Sequence, residues 1–412
     1  MTPDLFKDVA SSMQNPDYNN HVKREIELYE RKNDIRSPYE RDYTRILHSL
    51  AYRRLKHKTQ VFFNIDNDHI CTRMEHVQHV ESVGCTIAKY LGLNVDLTRA
   101  IAMGHDLGHA PFGHEGENEL TKIRNQYGMD KFWHERNSLR MIDDIELLQN
   151  HEGCFKNLDL TYAVRDGIIS HCGEVDENGI KPRHSYIDLT DFNEPGQYQP
   201  YTWEGCVVKI ADKIAYLGRD IEDAIRLDFL DKRALANLRR IATKYHKSKI
   251  NTTVIMHDFI ISICENSTPN NGICLGPEYS EMLNEIKKFN YDNIYYNEKL
   301  DVYKKYVSLI IRSIFDFLID KYAGERTIEK LTKIQVAYPL SVGDFIQYLF
   351  HYSSIVPTQK KLKEKYTDKY ENKKIYGKLE EENIYAEAIV DYIAGMTDKY
   401  AIAVFNELIT FR

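Results

Sequence analysis

Apolar residues recur along most of this chain with a period near 3.6, and strictly alternating stretches are scarce, so the pattern predicts an all-α protein. Residues 1–35 are polar and read as a loosely attached arm with a short helix. Residues 42–58 read as a basic amphipathic helix with Ile46, Leu47, Leu50, Ala51 and Leu55 on its packed face. From His76 to Leu91 a helix is expected, with Val77, Val80, Val83, Ile87 and Leu91 on one side and Gly92 as its stop. Asp96 is the expected cap of the next helix, over 96–109, whose inward stripe of Leu97, Ala100, Ile101 and Gly104 also carries His105. Loop and a short helix are expected over 111–131, then helices over 132–149 and 159–171. Residues 172–199 are rich in Gly, Pro, Asn and Asp and form the longest irregular stretch, a candidate lid or insertion. A strongly apolar helix follows over 205–227. The helical pattern resumes after Asp231 and is interrupted by the polar run 265–280.

Composition adds limits. The chain has 412 residues, 42% of them hydrophobic, which is ample for one large core or two. It has no twenty-residue apolar run, and its start lacks the basic-then-apolar order of a signal peptide, so no membrane association is expected and the cytoplasm is the expected address. Seven scattered cysteines, none in a C-x-x-C pair, read as reduced thiols. A net charge of -7 argues against a general nucleic-acid coat. Two stretches depart from it: 41–58, with six Lys/Arg against one Asp, and the Lys-rich 360–374. The first interleaves its cations with a packed face, where an anion could be held; the second reads as a solvated helix face.

The candidate chemistry lies in two places. The stretch "GHDLGHAPFGHEGE" (104–117) packs three histidines and three carboxylates around a helix-breaking Pro111 and Gly113. The 205–227 helix is apolar almost all round, yet contains Asp212, and a buried carboxylate needs a cation, a metal or a strong hydrogen-bond network. Tyr216 and Asp220 follow on nearly the same face as Asp212, with Lys213 at its border. His105 beside Asp106, with His76 and Asp212, offers two imidazoles and two carboxylates, a set that suits Mg, Mn, Ni, Fe or Zn.

The order His76, His105-Asp106, Asp212 is the H…HD…D signature of the HD-domain phosphohydrolases. The wider context resembles the deoxynucleoside triphosphate triphosphohydrolases, the dGTPase and dGTPase-like family. "RDYTRILHSLAYRRLKHKTQVF", "TRMEH", "GHDLGHAPFGHEGE", "FWHERNS", "KIADKIAYLGRDIEDA" and "YIAGMTDKYA" match family blocks in family order, from Arg41 to Ala401. The resemblance implies an N-terminal arm (1–35), an HD catalytic core (36–230) and a C-terminal helical region packed on it (231–412). It implies attack of water on the α-phosphorus of a dNTP, releasing deoxynucleoside and inorganic triphosphate, with His76, His105, Asp106 and Asp212 holding a divalent metal ion. His114 is the implied proton-transfer residue toward the leaving 5′-oxygen, with Glu117 orienting it. His134 matches another family active-site histidine, and His109 a phosphate contact. The Pro111/Gly113 turn is expected to fold His109, His114 and Glu117 back over the metal. Gln60 and Asp220 fall at the sugar 3′-hydroxyl, Tyr216 against the ring where a 2′-hydroxyl would clash, and Arg73 and Lys213 at the phosphates, with Arg53 and Arg54 as supporting cations. The family implies a homo-oligomer, often a hexamer built from dimers, and leaves room for a dNTP activator and for single-stranded nucleic acid as a secondary ligand.

Two features depart from the family. His79 stands where relatives carry an acidic residue and reads as a surface or supporting side chain, while 234–336 matches no family block. His171, in "IISHCGE", lies in a recognisable block without an assigned role. The other readings are an HD hydrolase of another nucleotide phosphoester, and a regulatory protein that senses nucleotides or binds nucleic acid.

Overall fold

The computed structural model describes residues 4–26, 33–62, 67–172 and 178–410. Eighteen α-helices and one two-stranded antiparallel ribbon among these residues make the chain all-α, as the periodicity predicts. Contacts divide it into two units of interleaved segments. The first comprises Met1–Leu47, Asn67–Asp106 and Asp159–Asp301; the second comprises His48–Asp66, Leu107–Leu158 and Val302–Arg412. The arm, core and C-terminal region expected from the sequence cut across this interleaving.

The first unit is built around the helix Trp203–Arg226, which packs against Arg73–Leu91, Val95–Gly104, Tyr162–Ser170, Thr252–Asn266 and Pro277–Asn290. The local signals are readable. Thr72 and Glu75 form a reciprocal capping box at the start of Arg73–Leu91, and Gly92, at φ 81°, ends it in the left-handed conformation. Val95–Gly104 is capped by Asn94, not Asp96, because the Asn94 carboxamide oxygen accepts the N–H groups of Asp96 and Leu97. This helix stops at Gly104, five residues short of the expected end, leaving His105 and Asp106 just past its last turn.

The N-terminal arm is not loosely attached where it is described. Asp4 and Phe6 donate main-chain hydrogen bonds to Tyr90 and Leu91 (3.1 and 2.9 Å), and the buried Phe6 ring meets Trp203 edge-on. The buried Glu204 carboxylate accepts the N–H groups of Ser11 and Asn94, both at 2.9 Å. A polar composition hid this because a few apolar side chains and one buried acceptor suffice to dock the segment. The irregular stretch also differs from a lid. Asp166 pairs with Arg183 and accepts the Tyr201 N–H (2.7 Å), and Arg183 reaches Gln199 O (2.7 Å), which pins 183–201 to Tyr162–Ser170. Residues 173–177 of that stretch lie outside the described part.

The expected 42–58 helix is broken. Ser49 adopts an extended conformation at the end of Pro38–His48, and its hydroxyl accepts the Tyr52 N–H to start Leu50–Arg54. In the second unit, 111–131 forms one full helix, Gly113–Gln126. The expected 132–149 helix ends early: His134–Arg140 runs into a wide turn at Met141–Ile145, and Leu147–Gln149 then pairs antiparallel with Phe155–Asn157, Leu147 facing Asn157. Asp301–Ile319, Asp344–Tyr352, Glu382–Ala394 and Asp398–Ile409 enclose an apolar core that includes Leu120, Ile314, Phe345, Ile389 and Val404.

Candidate metal centre and acid–base cluster

Within the first unit three side chains from separate parts of the chain converge. His76 stands one turn into Arg73–Leu91, His105 at the end of Val95–Gly104, and Asp212 midway along Trp203–Arg226. His76 Nε2 lies 3.0 Å and His105 Nε2 3.8 Å from Asp212 Oδ1, and the three could share one metal ion. Asp106 stands at their edge. Its Oδ1 is 3.8 Å from His105 Nε2, while its Oδ2 accepts a 2.9 Å hydrogen bond from the Arg73 guanidinium. His171, to which the sequence assigned no role, packs edge-on against His105 with ring centroids 4.9 Å apart.

The donor chemistry fits a cation. His105 Nδ1 lies 2.7 Å from Ala102 O, and since a carbonyl only accepts, Nδ1 carries the proton and Nε2 presents its lone pair. Burial holds this imidazole below its ordinary pKa and therefore neutral. That lone pair faces carboxylate oxygens of both Asp106 and Asp212. Burial pushes Asp212 up, but the hydrogen bond and charge of His76, with His105 and His171 beyond, hold it well below the carboxylate range. A neutral imidazole lone pair and carboxylate oxygens converging in a buried site are the donor set a divalent ion takes, with protonated His76 and Arg73 balancing the carboxylate charge in its place.

Further along Trp203–Arg226, Lys213 and Asp220 are buried and Tyr216 half-buried. Asp220 accepts a hydrogen bond from Tyr295, a residue of the stretch that matched no family block. Nothing in its local sequence signalled this; Tyr295 ends the wide turn Tyr291–Tyr295 that extends Pro277–Asn290. Burial raises the Asp220 carboxyl to about 7, with the Tyr295 hydroxyl pulling the other way and Asp223 adding to the rise. A folded-state pKa above the unfolded value means that the folded chain binds this proton more tightly. Stability is therefore lost as pH rises from about 4 to about 7, and the penalty is complete above that range. Asp220→Asn, which keeps an acceptor for Tyr295, should accordingly stabilise the metal-free protein by about 2–4 kcal/mol at pH 8 and far less at pH 5. Urea unfolding of both proteins at the two pH values checks this, and an equal difference at both would rule it out.

In the second unit a buried carboxylate gathers three imidazoles. Glu117, on Gly113–Gln126, pairs closely with His109 Nδ1 and lies 3.3 Å from His134 Nδ1 and 3.7 Å from His114 Nδ1. The rings of His109 and His134 stack at 3.8 Å. His114 is the exposed member, its side chain 63% accessible. Burial opposes ionisation of Glu117, but the charges of His109 and His134 and hydrogen bonds from His109 and His114 take it well below the ordinary range. Gly108 makes this gathering sterically feasible. A Cβ there would lie 2.0 Å from Ser138 N, and instead Gly108 N–H donates to Ser138 Oγ while its carbonyl accepts from Asn137. Glu135 stands beside His134 at 3.5 Å. Gln60 also belongs to this unit, its Oε1 buried without a hydrogen-bond partner among the described residues.

Two other expectations resolve locally. Arg54 is engaged by Glu146 at 2.7 Å, an ordinary structural pair, and Arg53 is exposed. His79 Nε2 lies 3.1 Å from Arg219, and His79 joins no group of potential ligands among the described residues.

An all-α fold that gathers the H…HD…D side chains defines the class: the HD-domain pattern matches residues 73–217, and that of the phosphohydrolase-associated domain residues 342–407. A deoxyguanosinetriphosphate triphosphohydrolase-like protein of Caldanaerobacter subterraneus subsp. tengcongensis is 34% identical over 380 residues, 92% of this chain and 87% of its own. One of Clostridium tetani is 30% identical, covering 92% of this chain and 88% of its own. The chain belongs to the deoxyguanosinetriphosphate triphosphohydrolase-like family of HD-domain phosphohydrolases.

Proposed function

We propose that this hydrolase converts deoxynucleoside triphosphates into deoxynucleoside and inorganic triphosphate by attack of water on the α-phosphorus. The observation that carries the reading is the convergence of His76, His105 and Asp212, with Asp106 at its edge, so that imidazole nitrogens and carboxylate oxygens face one point where a metal ion could be held. The relatives' names support the substrate class and make dGTP the first substrate to try.

A bound divalent ion (Mg, Mn, Ni, Fe or Zn) would supply Lewis acidity to the α-phosphate and to the attacking water. His76, His105, Asp106 and Asp212 hold it. Arg73 and Lys213 neutralise phosphate charge, which a tetra-anion requires; the buried Nε of Arg73 has no hydrogen-bond partner among the described residues and is a donor to spare. Gln60 and Asp220 take the 3′-hydroxyl, Asp220 oriented by Tyr295, while Tyr216 blocks the space of a 2′-hydroxyl. His114 passes a proton to the leaving 5′-oxygen and Glu117 orients its ring, with His134 beside them and His109 as a phosphate contact. Phosphoryl transfer of this kind asks for positioning and charge stabilisation, and no nucleophilic side chain is needed. A cytoplasmic address, a homo-oligomer built from dimers up to a hexamer, a dNTP activator and a secondary affinity for single-stranded nucleic acid belong to the same proposal. Among the described residues no helix is long and apolar enough to cross a membrane.

The test is incubation of manganese-loaded protein with each dNTP singly and with all four together, products being separated by chromatography. Triphosphate plus deoxynucleoside is expected, and activity confined to mixtures would reveal the activator. Release of pyrophosphate and a monophosphate, or no turnover under any condition, would overturn the reading.

A further inference from the structure

Lys58 and Asp398 stand behind the acid–base cluster, and neither is a residue that the proposed chemistry uses. Lys58 is buried, and its ammonium donates to the main-chain carbonyls of His109 and, at 3.0 Å, Ala394. Asp398 is also buried. Its Oδ2 accepts the N–H and the hydroxyl of Thr59 (3.1 and 2.8 Å), and its Oδ1 accepts the N–H of Phe112 at 2.8 Å. The corner between Glu382–Ala394 and Asp398–Ile409 thus grips two separate segments of the same unit. One is Lys58–Thr59, immediately before Gln60. The other runs from His109 to Phe112, immediately before Gly113 and His114.

The grip falls where the main chain needs it. Phe112 sits at φ 65°, a left-handed conformation that is unfavourable for a non-glycine residue and persists only when its surroundings hold it. The carboxylate bond to its N–H is such a hold, and it sets the direction in which Gly113–Gln126 departs with His114 and Glu117. Buried charges are rarely the cheapest route to stability, since apolar groups of similar volume often do as well. What a buried carboxylate with three donors adds is direction, and direction is what proton transfer requires.

We propose that Lys58 and Asp398 are positioning residues, through which the C-terminal helical corner sets the placement of His109, His114 and Gln60. The proposal rests on the hydrolase reading for its effect on turnover, but not for its effect on the histidines themselves. The 342–407 segment then supplies the carboxylate and the carbonyl that hold two site-bearing segments in register.

Two readouts test it on the full-length protein, manganese-loaded for turnover and loaded with diamagnetic magnesium for NMR. Asp398→Asn loses an acceptor for one of its donors and should lower kcat roughly 10- to 100-fold, with bound manganese per chain unchanged and unfolding still cooperative. Independently of any substrate, side-chain NMR signals of labelled histidine should shift for His109 and His114 in Asp398→Asn and in Lys58→Met. Asp344→Asn is the control: it weakens the Tyr400 hydroxyl bond of another C-terminal carboxylate and should leave those signals in place. If Asp398→Asn does not fold, Thr59→Val, which removes only the hydroxyl donor, decides the matter through a smaller shift of the same signals. Unmoved His109 and His114 signals in every folded variant, or a kcat loss that only tracks the unfolded fraction, would overturn the proposal. Should the parent protein itself hydrolyse no nucleotide, the hydrolase reading fails while the histidine signals still decide the positioning role.

Discussion

Asp212→Ala is expected to leave a folded protein that binds no stoichiometric manganese and hydrolyses no nucleotide above background. Asp212 is the carboxylate that lies beside both His76 and His105, and removing it takes away the group that ties the two imidazoles to one centre. The helix should survive, because alanine is the best helix former and Ala211 already adjoins the site in an apolar setting. A thermal measurement separates loss of metal from loss of fold. Ligand that binds only the folded state stabilises by RT ln(1 + [L]/Kd), about 2.7 kcal/mol at a hundredfold excess over Kd, so manganese should raise the unfolding temperature of the parent. The variant should show no such rise while melting near the metal-free parent. Retention of the parent's metal content would remove the centre from consideration.

His114→Ala should slow hydrolysis by a factor on the order of 10² to 10⁴ while leaving metal content, nucleotide affinity and unfolding temperature near those of the parent. The geometry makes this a clean experiment. The His114 side chain is mostly accessible and lies 3.7 Å from Glu117, whereas His109 and His134 hold the same carboxylate from closer positions. Trimming it therefore opens no cavity and leaves Glu117 two partners. A residue that delivers a proton affects the rate more than the binding, so the loss should appear in kcat with KM little changed. Equal losses in affinity and rate would mark His114 as a structural or binding group instead.

Long apolar stripes were legible, and so were their ends where the terminating residue is chemically unambiguous. The Val77 to Leu91 stripe with Gly92 behind it became Arg73–Leu91, and the buried helix around Asp212 became Trp203–Arg226. Positions where two similar residues compete were not legible. Asn94 and Asp96 both suit a cap, and the choice fell to the carboxamide whose oxygen reaches two N–H groups. Ser49 broke an uninterrupted amphipathic pattern because a serine beginning a new helix looks, in sequence, like any polar residue within one.

For the site, spacing pointed to side chains that share a helix or adjoin one, such as Asp212, Tyr216 and Asp220. Partners separated by long stretches gave no local sign. Tyr295 reaches Asp220 across 75 residues, and Asp398 reaches Phe112 across 286. Such residues are recognisable only once the chain has folded, since a tyrosine or an aspartate at a helix end is commonplace without them.

Ser11 meets Glu204 across 193 residues, so a ribosome that has made the first must work for some time before the second exists. At ordinary elongation rates of ~5–20 residues per second, the interval is roughly 10–40 s. During it Phe6 has no Trp203 ring to pack against. Docking of the N-terminal segment is thereby tied to the pace of synthesis.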